Sequence, residues 1–511
     1  MLHSLFSGTT RPKDSTLEGE GSAPGPRNIS YGLPDMTRSE PTTLKKRKIL
    51  IVQGDWEAGM SLLALDLQDA GHEVGKVFFC APDLIYQFRG IRTHLFRSPL
   101  AQFQNWLRDL VQRESYDTFF VYNHYRPYNQ VAWNLSEELD LGCFVFELGL
   151  IRPNCVTVFS RQAQPLPTMV EAWRKLLNGS APPVSVETPA ELCQVSTPAK
   201  LIAFCGNFLL SRITSPLFPH FVDQREMKLW GHFKHGVIHL WRFFERSRDC
   251  EYDGLFAGEM SGKYYAVPLQ VHSDTQITQC SDFKSIEQFI KLVVHSFEKN
   301  APPDSQLVFK VHPMDRGYKD YMDLIAGLDE RLGRGRLLYV DRVHLPTLLS
   351  HSRGVVNINS SVGISGLVHH VPVITLGRAV YDLPELTFQG GLDAFWNDSE
   401  KPRNRRVRNF IDLLLTTSQG RGTLSQRCFD VPGRCRIQWP QPFHNEFFSG
   451  KRATNPEFLV EVSHKPAECS IEEVAQTMIL SKRSLWNSRT PRIRLSRHVG
   501  SLLIARRRRI S

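Results

Sequence analysis

Nowhere in its 511 residues does this chain hold an apolar run approaching the roughly 18 residues that a membrane-spanning helix needs. A transport pore built from its own helices is not expected. Met1 to Lys48 lacks the basic-then-apolar pattern of a secretory leader, so a cytoplasmic protein is expected. Ten cysteines are scattered between Cys80 and Cys469, none in a Cys-x-x-Cys pair or at zinc-finger spacing. Buried free thiols in a reducing compartment are the expectation, and Cys428 with Cys435 reads as coincidence rather than a metal site. No Asp-x-Asp stands at a suitable strand end, so neither a metal nor a cofactor is expected. No clear internal repeat divides the chain.

What is present is globular composition, 41% hydrophobic and 22% charged, long enough for two domains and tails. Residues 1–47, rich in Ser, Thr, Pro and Gly, read as a disordered tail. The net charge of +10 is unevenly placed. Lys45-Lys46-Arg47-Lys48 abuts the first strand, and Lys401, Arg403, Arg405, Arg406 and Arg408 cluster near the start of a helix. Pro491 to Ser511 carries seven arginines and no acid, with Ser501-Leu502-Leu503-Ile504-Ala505 running into Arg506-Arg507-Arg508-Arg509. A short apolar patch beside a basic run suits an anionic membrane surface, a solvated tail being the plainer alternative. A nucleic-acid-binding protein would spread basic residues with interleaved aromatics over its folded domains. This chain does not, so no nucleic-acid partner is expected.

Apolar runs alternate with helical spacing in two blocks. The first, residues 48–255, has strands at Ile49 to Val52, Glu73 to Phe79, Thr118 to Tyr122 and Phe144 to Phe146. Helices fall over Met60 to Ala70 and Gln130 to Leu139, and Met227 to Arg246 reads as a long aromatic-rich amphipathic helix. The second block, residues 256–420, has strands at Tyr264 to Val271, Gln306 to Val311, Arg336 to Val340, Gly354 to Asn359 and Pro372 to Leu376. Its helices are expected over Ile286 to Lys299, Tyr321 to Leu332, Leu345 to His351, Val362 to His370 and Arg403 to Thr417. Residues 421–511 form an irregular basic extension. The fold class is α/β, two Rossmann-like domains facing a central cleft.

Chemistry concentrates where strands end. Lys310-Val311-His312-Pro313 closes one apolar run, and Asn359-Ser360-Ser361 closes another and opens a helix. In an open α/β sheet, ligands sit outside the carboxyl ends of strands. A Lys and a His at one end and two hydroxyls at the next suit an anionic, phosphate-bearing ligand, ordinary helix capping being the bland alternative. Gln270, His272, Asp274 and Gln276 alternate, so an extended backbone would set them on one face as a sugar or acceptor site, with Asp274 a candidate general base. A turn stabilised by the Asp and Gln side chains is the alternative. Asp315, Arg316 and Tyr318 read as caps of the following helix.

Several segments in order resemble the capsule polysaccharide biosynthesis/export family, in its KpsS/LipB-type branch. They are Gln53-Gly54 with Gly59, Gly71-His72-Glu73-Val74, Arg126-Pro127-Tyr128, Phe146-Glu147-Leu148-Gly149-Leu150-Ile151-Arg152-Pro153, and Val267 through Gln276. Lys310 through Tyr318, Asn359 through Gly363, Gly377, Tyr381-Asp382 and Asp393-Ala394-Phe395-Trp396 complete the set. The similarity runs from about residue 48 to 420. It implies a GT-B-like retaining β-Kdo transferase on the inner face of the bacterial inner membrane, moving Kdo from CMP-Kdo to a lyso-phosphatidylglycerol anchor.

The resemblance also implies roles. His312, with Pro313, would hold the CMP phosphate and help it leave, with Lys310, Ser360 and Ser361 completing the clamp. Glu147 is the acid of the first domain, as base or nucleophile. Arg126 and Arg152 would pair with the Kdo carboxylate as bidentate forks. Two departures stand out: Leu148 occupies a place where related β-Kdo transferases carry a second acid, and His124 stands in the family's Gly-Asp-Cys-Arg-Pro pattern where that pattern has its Asp. These departures favour a rival, a non-catalytic capsule assembly or export factor that keeps the CMP-sugar-binding fold. Other capsule assembly proteins are expected partners on either reading.

Overall fold

The computed structural model describes residues 45–54, 58–85, 87, 90–151, 155–179, 206–222, 252–316, 319–333, 335–424, 435 and 437–448. The N-terminal tail up to residue 44, the arginine-rich end, Arg152, Tyr318 and the helix expected over Met227 to Arg246 lie outside the described residues.

The apolar runs become two sheets. The first contains β1 (Lys48–Ile51), β2 (Glu73–Phe78), β3 (Arg92–Leu95), β4 (Thr118–Tyr122), β5 (Gly142–Leu148) and β6 (Cys155–Ser160). The second contains β7 (Tyr264–Pro268), β8 (Gln306–Lys310), β9 (Leu337–Val340), β10 (Gly354–Asn357) and β11 (Val373–Thr375). A last strand, β12 (Gln419–Arg421), returns to the first sheet beside β6. The orders are β12-β6-β5-β4-β1-β2-β3 and β11-β10-β7-β8-β9. All pairings are parallel except β5 with β6 and β6 with β12. Two Rossmann-like sheets are the α/β, GT-B-like architecture expected.

Alternation explains why both faces of each sheet are covered. Ile49 and Ile51 enter one core and Leu50 and Val52 the other, because successive side chains of a strand point to opposite faces. In the second sheet, Tyr264 and Ala266 pack on one side and Tyr265 and Val267 on the other. Fully buried parallel strands read as continuous apolar runs, which is what made them visible in the sequence.

Each sheet reverses direction once. The chain climbs β1-β2-β3 and then crosses back to place β4 on the other side of β1. It climbs β7-β8-β9 and crosses back to place β10 on the other side of β7. At such a switch point the two connections leave in opposite directions, opening a crevice at the carboxyl ends of the paired strands.

Two segments differ from expectation. The helix Pro165–Leu177 follows β6 but lends Met169 and Trp173 to the core of the second sheet. There the Trp173 indole N–H donates to the Pro384 carbonyl at 3.0 Å. The stretch after residue 420, expected to be irregular, contributes ordered structure: β12 straddles that position, and a helix Gln441–Phe448 follows. Phe443 and Phe447 are buried against Phe120, Phe144 and Phe146 of the first sheet. His72 pins this helix, its Nδ1 accepting from Arg47 N at 3.1 Å while its Nε2 reaches the Phe447 carbonyl at 2.9 Å.

Truncation of Phe447, fully buried, to Ala should cost about 3–5 kcal/mol in a urea unfolding experiment. The His72 lock also has a pH signature. Burial holds its imidazole below the ordinary histidine value. Its contribution is therefore complete above that ordinary value and is lost as the pH falls below it. The urea midpoint should drop between pH 7 and pH 5, and His72→Gln should flatten that part of the profile.

Candidate functional site

The first crevice lies between the ends of β1 and β4. The Arg126 guanidinium donates from Nη1 to the Gly54 carbonyl at 3.2 Å and lies 4.7 Å from the Tyr122 ring centre, joining the loops that follow the two strands. Asn129 is buried and donates to the Gln53 and Tyr122 carbonyls at 3.3 and 2.7 Å. The turn after β4 works because Asn123 takes a left-handed backbone, φ 59°, which Asn tolerates better than most residues. Its side chain then accepts from Tyr125 N at 3.0 Å. Arg126 is thus a brace across the crevice at the same time as a cation beside it.

Glu147 lies at the end of β5, next to β4. Its Oε1 faces His124 Nδ1 at 3.5 Å, and neither atom has a hydrogen-bond partner although both are buried. His124 is held among Tyr125, Trp133 and Phe159. The next residue, Leu148, is 63% exposed, so this strand end presents hydrocarbon to solvent.

The second crevice lies between the ends of β7 and β10, and three adjacent strands, β10, β7 and β8, open onto it. The buried Gln270 donates from Nε2 to Asn359 Oδ1 at 3.0 Å and to Asp274 Oδ2 at 3.2 Å. Asn359 in turn donates to the carbonyls of Gln276 and Cys280 at 3.0 and 3.1 Å. Asn357, fully buried, accepts from Ser360 N at 2.9 Å and holds the Tyr381 hydroxyl at 2.8 Å. Ser360 Oγ accepts from Val362 N at 3.2 Å, in the turn that leads into the helix Val362–Val368. Gly363 is needed there because a Cβ would collide with the Tyr381 ring.

On β8, Lys310 is buried at the last strand position, in the wall of the site. His312 lies just beyond it, half-buried, with Pro313 exposed beside it. Its Nδ1 accepts from Met314 N at 3.1 Å, which puts the neutral ring's proton on Nε2.

Residues 270–276 do not form the extended face expected of them. β7 ends at Pro268, the chain turns, and Asp274 caps a short helix Thr275–Gln279 by accepting from Gln276 N at 3.0 Å. Gln270 is directed inward, Gln276 lies in the helix, and only His272 of the four is exposed. The turn held by Asp and Gln side chains is the geometry adopted.

The two crevices meet at Cys280. Its thiol and the Tyr125 hydroxyl are hydrogen-bond partners, and both Glu147 and Asp274 act on it electrostatically. Burial, with the thiol and Glu147 adding to it, pushes Tyr125 up to about 12. The charges of the two candidate carboxylates, one from each half, are therefore both felt at this thiol. Sequence reading missed Tyr125 and Cys280 because their contact spans the two halves. Asp315, read as a cap, is instead fully buried beneath His272, its Oδ1 2.6 Å from His272 Nδ1. Among the described residues no group of three or more His, Cys, Asp or Glu could hold a metal ion.

Residues 118–424 match the family described as capsule polysaccharide biosynthesis protein. The chain belongs to this family. It is 31% identical over 382 residues to the capsule polysaccharide export protein KpsS of Escherichia coli, covering 74% of this chain and 96% of that one. It is 29% identical over 393 residues to the capsule polysaccharide modification protein LipB of Neisseria meningitidis serogroup B, covering 75% of this chain and 92% of that one. Among solved structures, KpsC of Thermosulfurimonas dismutans, a β-Kdo 2,7 transferase, is similar over 76% of this chain and 94% of its own. That likeness, at 15% identity and a TM-score of 0.37, is too distant to say more.

The amide of Asn359 joins β10, β7 and the following loop. Asn359→Ala leaves the Gln276 and Cys280 carbonyls without it, and should cost about 1–3 kcal/mol in thermal or urea unfolding.

Proposed function

We propose that this chain is a retaining β-Kdo transferase that moves Kdo from CMP-Kdo to a lyso-phosphatidylglycerol anchor, starting the linker on which a capsule chain is extended. The observation that carries this reading is the crevice at the ends of β10, β7 and β8, furnished with His312, Ser360 and Ser361. On this reading the CMP phosphate sits at the ends of β8 and β10. His312 donates from Nε2, the two serine hydroxyls face the same phosphate, and Lys310 adds positive charge from the wall. As the bond from the anomeric carbon to the phosphate oxygen breaks, its electron pair passes to the phosphate. Donors already in place stabilise the charge that develops. Retention asks for a carboxylate on the sugar and a group that takes the acceptor proton, and Glu147 and Asp274 are the two acids at hand. Arg126 stands beside the first crevice to receive the Kdo carboxylate, a role the family resemblance extends to Arg152, and His272 lies on the loop after β7, between the strand ends that hold the phosphate. The protein would work against the inner face of the inner membrane, with its arginine-rich end on anionic lipid and other capsule proteins as partners.

A second reading has its own observation. Leu148 and His124 stand where the family resemblance implies acids, and His124 Nδ1 faces Glu147 Oε1 at 3.5 Å, so a capsule assembly factor that binds a CMP-sugar without turning it over is the rival.

The test is transfer from CMP-Kdo, generated in situ, to a fluorescent lyso-phosphatidylglycerol. Wild type should give product, His312→Ala should lose about 10²–10³-fold in rate, and Glu147→Gln about 10²–10⁴-fold. CMP binding without product would favour the assembly factor. Absence of both would end the nucleotide-sugar reading.

A further inference from the structure

One buried carboxylate holds both histidine-bearing loops of the second crevice. Asp315 is 0% exposed, yet it lies only three residues past His312, in the loop after β8. Its own N–H donates to the His312 carbonyl at 2.9 Å. Its Oδ2 accepts the His272 backbone N–H at 2.9 Å, and its Oδ1 lies 2.6 Å from His272 Nδ1. The His272 ring, 44% exposed, is therefore fixed with Nδ1 bonded inward and Nε2 on its outer side.

The two histidines are consequently unlike. His312 uses Nδ1 as an acceptor, so its neutral ring presents a donor. His272 gives its Nδ1 proton to Asp315, so its neutral ring presents a lone pair, and it donates to an anion only after gaining a proton. The charge that would stabilise that proton is already in place 2.6 Å away. A buried carboxylate bonded to one nitrogen of an imidazole fixes its tautomer and favours the cation when an anion arrives at the other. Titratable or charged groups near the pair include Asp274 on the β7 loop, Lys310, His312, Arg316 and Lys319 on the β8 side, Glu287, which is ion-paired to Lys319, and Tyr321 and Tyr339, on both of which Asp315 acts electrostatically. Asp274 is engaged in its own loop.

We propose that His272 takes up a proton when a phosphate monoester dianion binds at the ends of β10, β7 and β8, and that Asp315 is the positioning residue that makes this uptake possible. This rests on the nucleotide-sugar reading above and extends it. Breaking the donor's glycosyl–phosphate bond adds one negative charge to the phosphate, and a proton from solvent on His272 balances it. The site then favours the leaving form, CMP, over the intact diester.

The experiment is calorimetry of CMP binding to the full chain at pH 7.5, in two buffers of different ionisation enthalpy. At that pH a phosphate monoester, whose second pKa is about 6, is already dianionic. Wild type should take up close to one proton per CMP, with affinity falling as the pH is raised. His272→Gln, at an exposed position, should keep the fold and still bind CMP, with weaker affinity and no proton uptake. Asp315→Asn should lower the uptake as well. His312→Ala should weaken binding and leave the uptake in place, a split that a merely structural role for Asp315 would not give. CMP binding with the same proton uptake in His272→Gln would overturn the proposal and leave the transferase reading standing. No CMP binding to wild type would overturn both.

Discussion

A parallel sheet delivers every strand's carboxyl end to the same edge, and a single reversal of strand order keeps that edge open. This constraint governs both halves of the protein. Where the chain switches sides, at β1/β4 and at β7/β10, the connections of the two adjacent strands leave in opposite directions. The loops there cannot hide their backbone polar groups under a neighbouring crossover. They must satisfy them with their own side chains or with a ligand.

The second crevice meets that demand with amides. Gln270, Asn357 and Asn359 spend their polar atoms on backbone and on one another, and Asp315 does the same beneath His272. A buried network is stable only when its members are satisfied, and this one lends rigidity to the positions of His312, Ser360 and Ser361. The first crevice is less complete. Glu147 Oε1 and His124 Nδ1 face each other across 3.5 Å with no hydrogen bond made by either. The half carrying the proposed phosphate clamp is pre-organised, and the half carrying Glu147 holds unspent hydrogen-bonding capacity.

The strands were legible because buried parallel strands are uninterrupted apolar runs: Thr118–Tyr122 falls where the alternation placed it. β3 was not, since Arg92–Leu95 is a half-exposed edge strand with no apolar run to betray it. The strands at Tyr264 and Gly354 end earlier than the pattern suggested because side chains turn the chain: Asp274 caps one exit and Asn357 accepts from Ser360 N at the other. That is also why residues 270–276 share no single face. The motifs located the site, but not the partnerships within it. A caps-or-ligands choice for Asp315 or Gln270 depends on which loop stands opposite, and sequence spacing carries no such information.

The connections between halves give the arrangement its coherence. The helix Pro165–Leu177 leaves the first sheet to pack in the second core, and the helix Asn404–Thr417 leaves the second core to feed β12 back into the first sheet. The two helices meet at Trp173 and Phe410. Each half therefore completes its core with chain that belongs, in sequence, beside the other. Cys280 and Tyr125 meet among the strand-end loops. A carboxylate from each half can act at one point only if the halves keep register to within a hydrogen-bond length, since a misplacement of about 1 Å can cost about 10²-fold in rate. The helices Pro165–Leu177 and Asn404–Thr417 supply that register through buried apolar contact.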